Sequence, residues 1–106
     1  MKDLGSLMKQ AQAMQEKLQA AQARMAEAEF DGAAGGGMVR LTLKGAGALA
    51  RVAINESLLA PGEGEIIADL IVAAHADARR KLETAQSDMM ADIAGPLAGL
   101  PGMPRF

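Results

Sequence analysis

Leu4, Leu7, Ala11, Met14, Leu18, Ala21, Met25 and Ala28 follow one another at unbroken intervals of three and four, the spacing of an apolar seam on a heptad helix. A lone helix cannot bury such a seam, so its partner must come from elsewhere in the chain or from a second copy. Propensity agrees with periodicity. After Gly5 the stretch holds no Gly or Pro and is filled with Ala, Gln, Lys, Glu and Met, all strong helix formers. Capped by Asp3 or Ser6, this helix is expected to run to about Glu29, on the order of 35 Å at 1.5 Å per residue.

The rest of the chain offers a thin core to pack against it. The 106 residues suit one small domain; half are apolar, but many of those are Ala, and Phe30 and Phe106 are the only aromatics. A domain of this size commonly needs disulfides, a metal or self-association for stability. Cysteine is absent and there is one histidine, so no disulfide, metal or other cofactor is expected and self-association is the remaining route. No charged segment leads into an apolar signal region, and no apolar run approaches the roughly 18 residues of a membrane span. The chain therefore reads as cytoplasmic, without a membrane partner. Its net charge of −2 gives no global pull toward polyanions, so any anion binding must use a local patch.

Beyond the first helix, Ala28 to Asp31 can form a short strand, and Gly32 to Gly37 reads as a flexible turn, because glycine-rich backbone is costly to order. Met38 to Lys44 alternates, with Val39, Leu41 and Leu43 on one face and Arg40, Thr42 and Lys44 on the other. Gly45-Ala46-Gly47 is a turn, and Ala48 to Ile54 alternates again with Ala50, Val52 and Ile54 as its apolar face. Aligning the two apolar faces places Leu43 opposite Ala48, Leu41 opposite Ala50 and Val39 opposite Val52. Arg40 then falls opposite Arg51, an unfavourable pair unless an acid such as Glu29 or Asp31 lies between them.

Asn55 to Gly64 is a loop, followed by a second helix from about Glu65 to Ala94. Glu63, Glu65 and Asp69 suit its positive N-terminal end. Its apolar positions, Ile67, Ile71, Ala74, Ala78, Leu82, Ala85, Met89 and Ile93, repeat every eleven residues, nearly the period of a straight helix. The two helices thus need not run together for their whole length. Gly95-Pro96 stops the second helix, dividing the chain into a domain over 1–94 and a Pro/Gly-rich tail over 95–106. In the tail Leu97, Leu100, Met103 and Phe106 recur every third residue, which puts them on one side of a polyproline-type extended chain.

Catalytic signals are weak. The helical neighbours of His75 are Ile71, Val72, Ala78 and Arg79, so no carboxylate or second histidine shares its face. Residues 45–50 match the G-x-G-x-x-A dinucleotide fingerprint, but a strand follows where a helix must receive the pyrophosphate. Neither an enzyme nor a small-molecule substrate is expected. The basic residues carry more information. Lys2, Lys9, Lys17 and Arg24 are spaced by seven, eight and seven, which holds them within a sector of roughly 80° beside the apolar seam. Arg79, Arg80 and Lys81 add three consecutive charges that fan around the second helix. One reading is a solvated face with pairs such as Asp77 to Lys81 and Arg79 to Glu83. The other is contact with phosphates, of duplex DNA rather than single strands, since no aromatic accompanies the charges for base stacking.

Leu7-Met8-Lys9-Gln10-Ala11-Gln12-Ala13-Met14-Gln15-Glu16-Lys17-Leu18 closely resembles the N-terminal helix signature of the YbaB/EbfC family of nucleoid-associated proteins. Similarity continues, in order, through Gly37 to Gly45, Val52 to Asn55, Ser57 to Leu59, Asp69 to Ala74, Asp77 to Lys81 and Pro101 to Pro104. The resemblance implies an α+β protomer of α-β-β-β-α order, a small antiparallel sheet flanked by two long helices, and a homodimer joined through its sheets with the helices projecting like tweezers. It implies a cytoplasmic, nucleoid-associated protein that binds double-stranded DNA, with Lys9, Lys17, Arg79, Arg80 and Lys81 at matching positions; Arg24 joins them from the stripe alone. The competing expectation is a coiled-coil-type protein interaction module that binds no nucleic acid.

Overall fold

The computed structural model describes residues 2–95; the tail expected beyond Gly95 lies outside the described residues. Helix α1 spans Lys2–Glu27, strands β1, β2 and β3 span Glu29–Ala34, Val39–Lys44 and Leu49–Ile54, and helix α2 spans Gly64–Ala94 after a 3-10 turn at Glu56–Leu58. This is the α-β-β-β-α order of an α+β protomer. The strands form one antiparallel sheet in the order β1-β2-β3.

The first strand corrects the sequence-based reading. Gly32, Ala33 and Ala34 belong to β1, pairing with Leu41, Arg40 and Val39, and the turn runs from Gly35 to Met38, its three glycines all at positive φ. Glycine at position 32 serves packing rather than flexibility. A methyl group there would overlap the Ala74 carbonyl oxygen and lie 2.6 Å from the Ala78 nitrogen, so its absence lets α2 settle directly on the strand.

The hairpin register also differs. Val39 faces Ile54, Leu41 faces Val52, Thr42 faces Arg51 and Leu43 faces Leu49, with an irregularity at Thr42/Leu43 that leaves Ala50 without a partner. Beyond this bulge the pairing is displaced by two residues from the expected one. A slip of two keeps every side chain on its own face, so alternation alone cannot detect it. Arg40 therefore faces Ala53 rather than Arg51. The acid expected near Arg51 is present: Glu29 accepts a 2.6 Å hydrogen bond from its guanidinium.

Helix α2 lies over β1 and β2, burying Ala74, Ala78 and Leu82 against Val39, Leu41 and Leu43. All eight apolar positions of its eleven-residue pattern are buried or half-buried. It does not cover β3. Ala50 and Val52 are exposed and Ile54 is half-buried, so the apolar face expected of that strand stays open in the protomer. The free edge of β1, by contrast, is closed by α2 side chains. Asp77 accepts from the Ala33 N–H at 3.0 Å, and Lys81 donates to the Asp31 carbonyl at 2.8 Å.

Helix α1 ends two residues earlier than its propensity suggested, because Glu29 enters the sheet. Its base is seated on the β2–β3 turn, where the Gly45 N–H donates to the Ala28 carbonyl at 2.9 Å and the Ala46 N–H to the Ala26 carbonyl at 3.3 Å. A side chain at Gly45 would collide with the Met25 carbonyl. From this seat α1 runs alongside the C-terminal part of α2 and then past its end. The molecule extends over 75 × 23 × 15 Å.

Candidate nucleic-acid interface

The six basic residues singled out in the sequence fall into two settings. Lys9, Lys17 and Arg24 are all exposed on α1, within the narrow sector that their spacing predicts. Among the described residues, no carboxylate lies within ion-pair distance of any of them. Lys17 and Arg24 line a groove of about 500 Å³ between α1 and the end of α2, which Met14, Ala21 and Ile93 floor with apolar surface. Asp92 also borders this groove.

On α2 the charges are engaged. Arg79 Nε lies 3.1 Å from Glu83 Oε1, and Arg80 lies 2.7 Å from Asp77. Lys81 lies 3.5 Å from the second Asp77 oxygen while also donating to the backbone of β1. The Ala33 N–H, followed by Lys81 and Arg80, holds the Asp77 carboxyl below its ordinary range by stabilising the anion. The structure thus gathers Arg80 and Lys81 around one acid, with Arg79 turned by roughly 100° from Arg80. Both i to i+4 pairs anticipated for a solvated face, Asp77 to Lys81 and Arg79 to Glu83, are present. His75 is exposed.

A further basic cluster extends the Arg40–Arg51 juxtaposition expected from the sequence by a residue from α2. Arg40, Arg51 and Lys81 line a cleft of about 360 Å³ on the sheet face opposite the core, together with Asp31 and Thr42. The alternation of β2 was the available signal for Arg40 and Thr42; nothing local announces that Lys81 arrives from α2. The cleft's charges are largely matched. Thr42 donates to Asp31 at 2.6 Å. The hydrogen bond and charge of Arg51 lower the Glu29 pKa, while Glu29 raises that of Arg51.

These features define a class of protein first: an elongated α+β protomer with a small sheet and two long helices, one of which carries a line of cations that meet no carboxylate among the described residues. Comparison with known proteins then fixes the family. The model of the YbaB/EbfC DNA-binding family matches residues 1–97, and the chain belongs to that family. It is 68% identical to a nucleoid-associated protein of Phenylobacterium zucineum (strain HLK1) over 106 residues, covering all of this chain and 99% of that one. It is 67% identical to a nucleoid-associated protein of Caulobacter vibrioides (strain NA1000 / CB15N), covering 96% and 94% of the two chains. The crystal structure of an uncharacterized protein from Helicobacter pylori shares the fold at a TM-score of 0.70 and 22% identity, covering 90% of this chain and 97% of that one.

Proposed function

We propose that this chain is a nucleoid-associated protein that binds duplex DNA through phosphate contacts made chiefly by Lys9, Lys17 and Arg24 on α1, with Arg79, Arg80 and Lys81 on α2 in a lesser role. The observation that carries this reading is the line of three exposed cations that meet no carboxylate among the described residues, in a member of a DNA-binding family. A net charge of −2 on the chain makes the local line decisive. Such contacts are sequence-tolerant and release counterions, so affinity falls steeply with salt. The proposed setting is the cytoplasm, at the nucleoid with which the relatives' names associate those proteins. Among the described residues no helix is long and apolar enough to cross a membrane.

Titration of a labelled duplex at graded salt tests the proposal. Wild type is expected to bind at low salt with a strongly negative log–log slope, and reversal of Lys9, Lys17 and Arg24 to Glu is expected to abolish binding. Indifference to that reversal would refute it. Loss of a protein partner on Leu18→Asp, with no duplex bound at any salt, would instead select the interaction-module alternative.

The protomer is further proposed to act as a homodimer joined through its sheets. Three observations support this: among the described residues the β3 edge carries no paired strand, Leu49 and Val52 on it are 53% and 40% exposed, and three of the seven described apolar residues that are buried are Ala. An uncovered apolar strand edge is a template for pairing with another chain. Light scattering is expected to report a dimer for wild type and a monomer or unfolded chain for Val52→Glu; a stable wild-type monomer at micromolar concentration contradicts the proposal.

A further inference from the structure

The sheet has two edges, and the chain treats them differently. Asp31 and Ala33 turn backbone groups outward from the free edge of β1, where a neighbouring strand would take them up. Two α2 side chains stand there instead. The Asp77 carboxylate accepts from the Ala33 N–H at 3.0 Å, as a strand carbonyl would, and the Lys81 ammonium donates to the Asp31 carbonyl at 2.8 Å, as a strand N–H would. The match is geometric. Residues 31 and 33 lie about 6.7 Å apart along a strand, and residues 77 and 81 are separated by a rise of about 6 Å along a helix, so one helical turn spans one pair of edge groups. Gly32, between them, fixes this alignment by letting the α2 backbone at Ala74 and Ala78 rest on the strand. The Ala33 N–H is also the foremost influence holding the Asp77 carboxyl in its ionised form. Among the described residues no side chain takes up a backbone group of β3 in this way.

We infer that Asp77 and Lys81 form a latch that stands in for a further strand on β1, and so confines sheet pairing between copies of this chain to the β3 edge. The partner that the latch excludes is the β1 edge of a second copy. That strand is suited to self-pairing: Gly32, Ala33 and Ala34 are small, and no proline interrupts Glu29–Ala34. Without the latch each protomer would offer a pairing edge at both ends of its sheet. Copies joined alternately through β3 and through β1 form an open chain, whereas copies joined through β3 alone close as a pair. The limit to two copies rests on the sheet-joined dimer proposed above; the latch itself does not.

Light scattering over a range of protein concentration, on the full chain without DNA, tests the latch. Asp77→Ala combined with Lys81→Ala is expected to grow with concentration to about twofold the wild-type mass or more. Adding Ala33→Pro removes the outward N–H, which bonds to Asp77 and not to β2, and is expected to restore the wild-type mass. A double variant that keeps the wild-type mass, or one whose growth survives Ala33→Pro, overturns the inference. A monomeric wild type would end the sheet-joined dimer but leave this comparison intact, since growth is judged against the wild type's own mass. Single variants that retain Lys81 supply a second measurement if the double variant does not fold. Asp77→Ala is expected to speed hydrogen exchange of the Ala33 amide about tenfold in dilute solution and to regain protection at high concentration, whereas Asp77→Asn, which keeps an acceptor oxygen, exchanges as wild type. Ala33 exchange in Asp77→Ala that is unchanged, that stays fast at high concentration, or that Asp77→Asn matches overturns it as well.

Discussion

The two long helices carry three candidate DNA-binding cations each, yet they hold them in opposite states. Helix α2 is pressed onto the sheet through Gly32, Ala74 and Ala78, and its Arg79, Arg80 and Lys81 are tied to Glu83, Asp77 and the β1 backbone. Helix α1 touches the rest of the protomer near its base and along part of one side, and its Lys9, Lys17 and Arg24 meet no described carboxylate. Equal charge counts therefore do not mean equal roles. A cation already paired must break that pair before it can neutralise a phosphate, whereas an unpaired one loses only hydration.

The difference in anchoring is open to the most disruptive test. Gly32→Ala forces a methyl into the α2 backbone and is expected to cost roughly 3 kcal/mol or more, read as a lower urea midpoint; a loss below 1 kcal/mol would mean that α2 is not clamped as described. The difference in charge comes next. Reversing all three α1 cations is expected to weaken duplex binding on the order of a hundredfold or more at low salt, with about 0.9 lost from the log–log salt slope per contact removed. Neutralising Arg79 and Arg80 to Gln is expected to weaken it less than about threefold. Equal effects from the two helices would erase the distinction.

A smaller change sharpens it from the other side. Glu83→Gln frees Arg79 and is expected to strengthen duplex binding about twofold, through one newly available cation; an unchanged or weaker affinity would place Arg79 away from the DNA. The smallest expected effect is on acid stability. Asp77 and Glu29 are held below their ordinary values in the folded chain, so the unfolded state binds their protons more readily. Their contribution is complete above about pH 5, beyond the unfolded values of both carboxyls, and is lost progressively as pH falls through their folded values. Asp77→Asn is expected to flatten that acid limb in chemical denaturation, leaving the neutral-pH DNA affinity of α1 untouched; an unchanged limb would show that Asp77 does not tie α2 to β1.

Much of this frame was legible in the chain. The eleven-residue pattern of α2 names the residues that pack, and the alternation of β2 names the core strand face, because burial imposes period and period survives in sequence. The turn after β1 reads too long from sequence, since Gly32 looks like a flexible residue until α2 is seen against it. The register failed for a reason intrinsic to the pleat, which cannot distinguish a slip of two. At the candidate interface the common side of α1 shared by Lys9, Lys17 and Arg24 is legible in their spacing, as one helix fixes it locally. Nothing in the sequence warns that Lys81 reaches the edge of β1, because that contact joins residues fifty positions apart.

Gly45 gives the α1 line a mechanical property. With its base seated on the β2–β3 turn at Met25, α1 behaves as a lever whose fulcrum lies roughly 24 Å from Lys9 along the helix axis. A tilt of about 10° at the fulcrum swings Lys9 through roughly 4 Å, comparable to the ~3.4 Å rise from one phosphate to the next along a strand. In the proposed mode of binding, the tightness of the turn at Gly45 would thus set which phosphate the far end of the helix reaches.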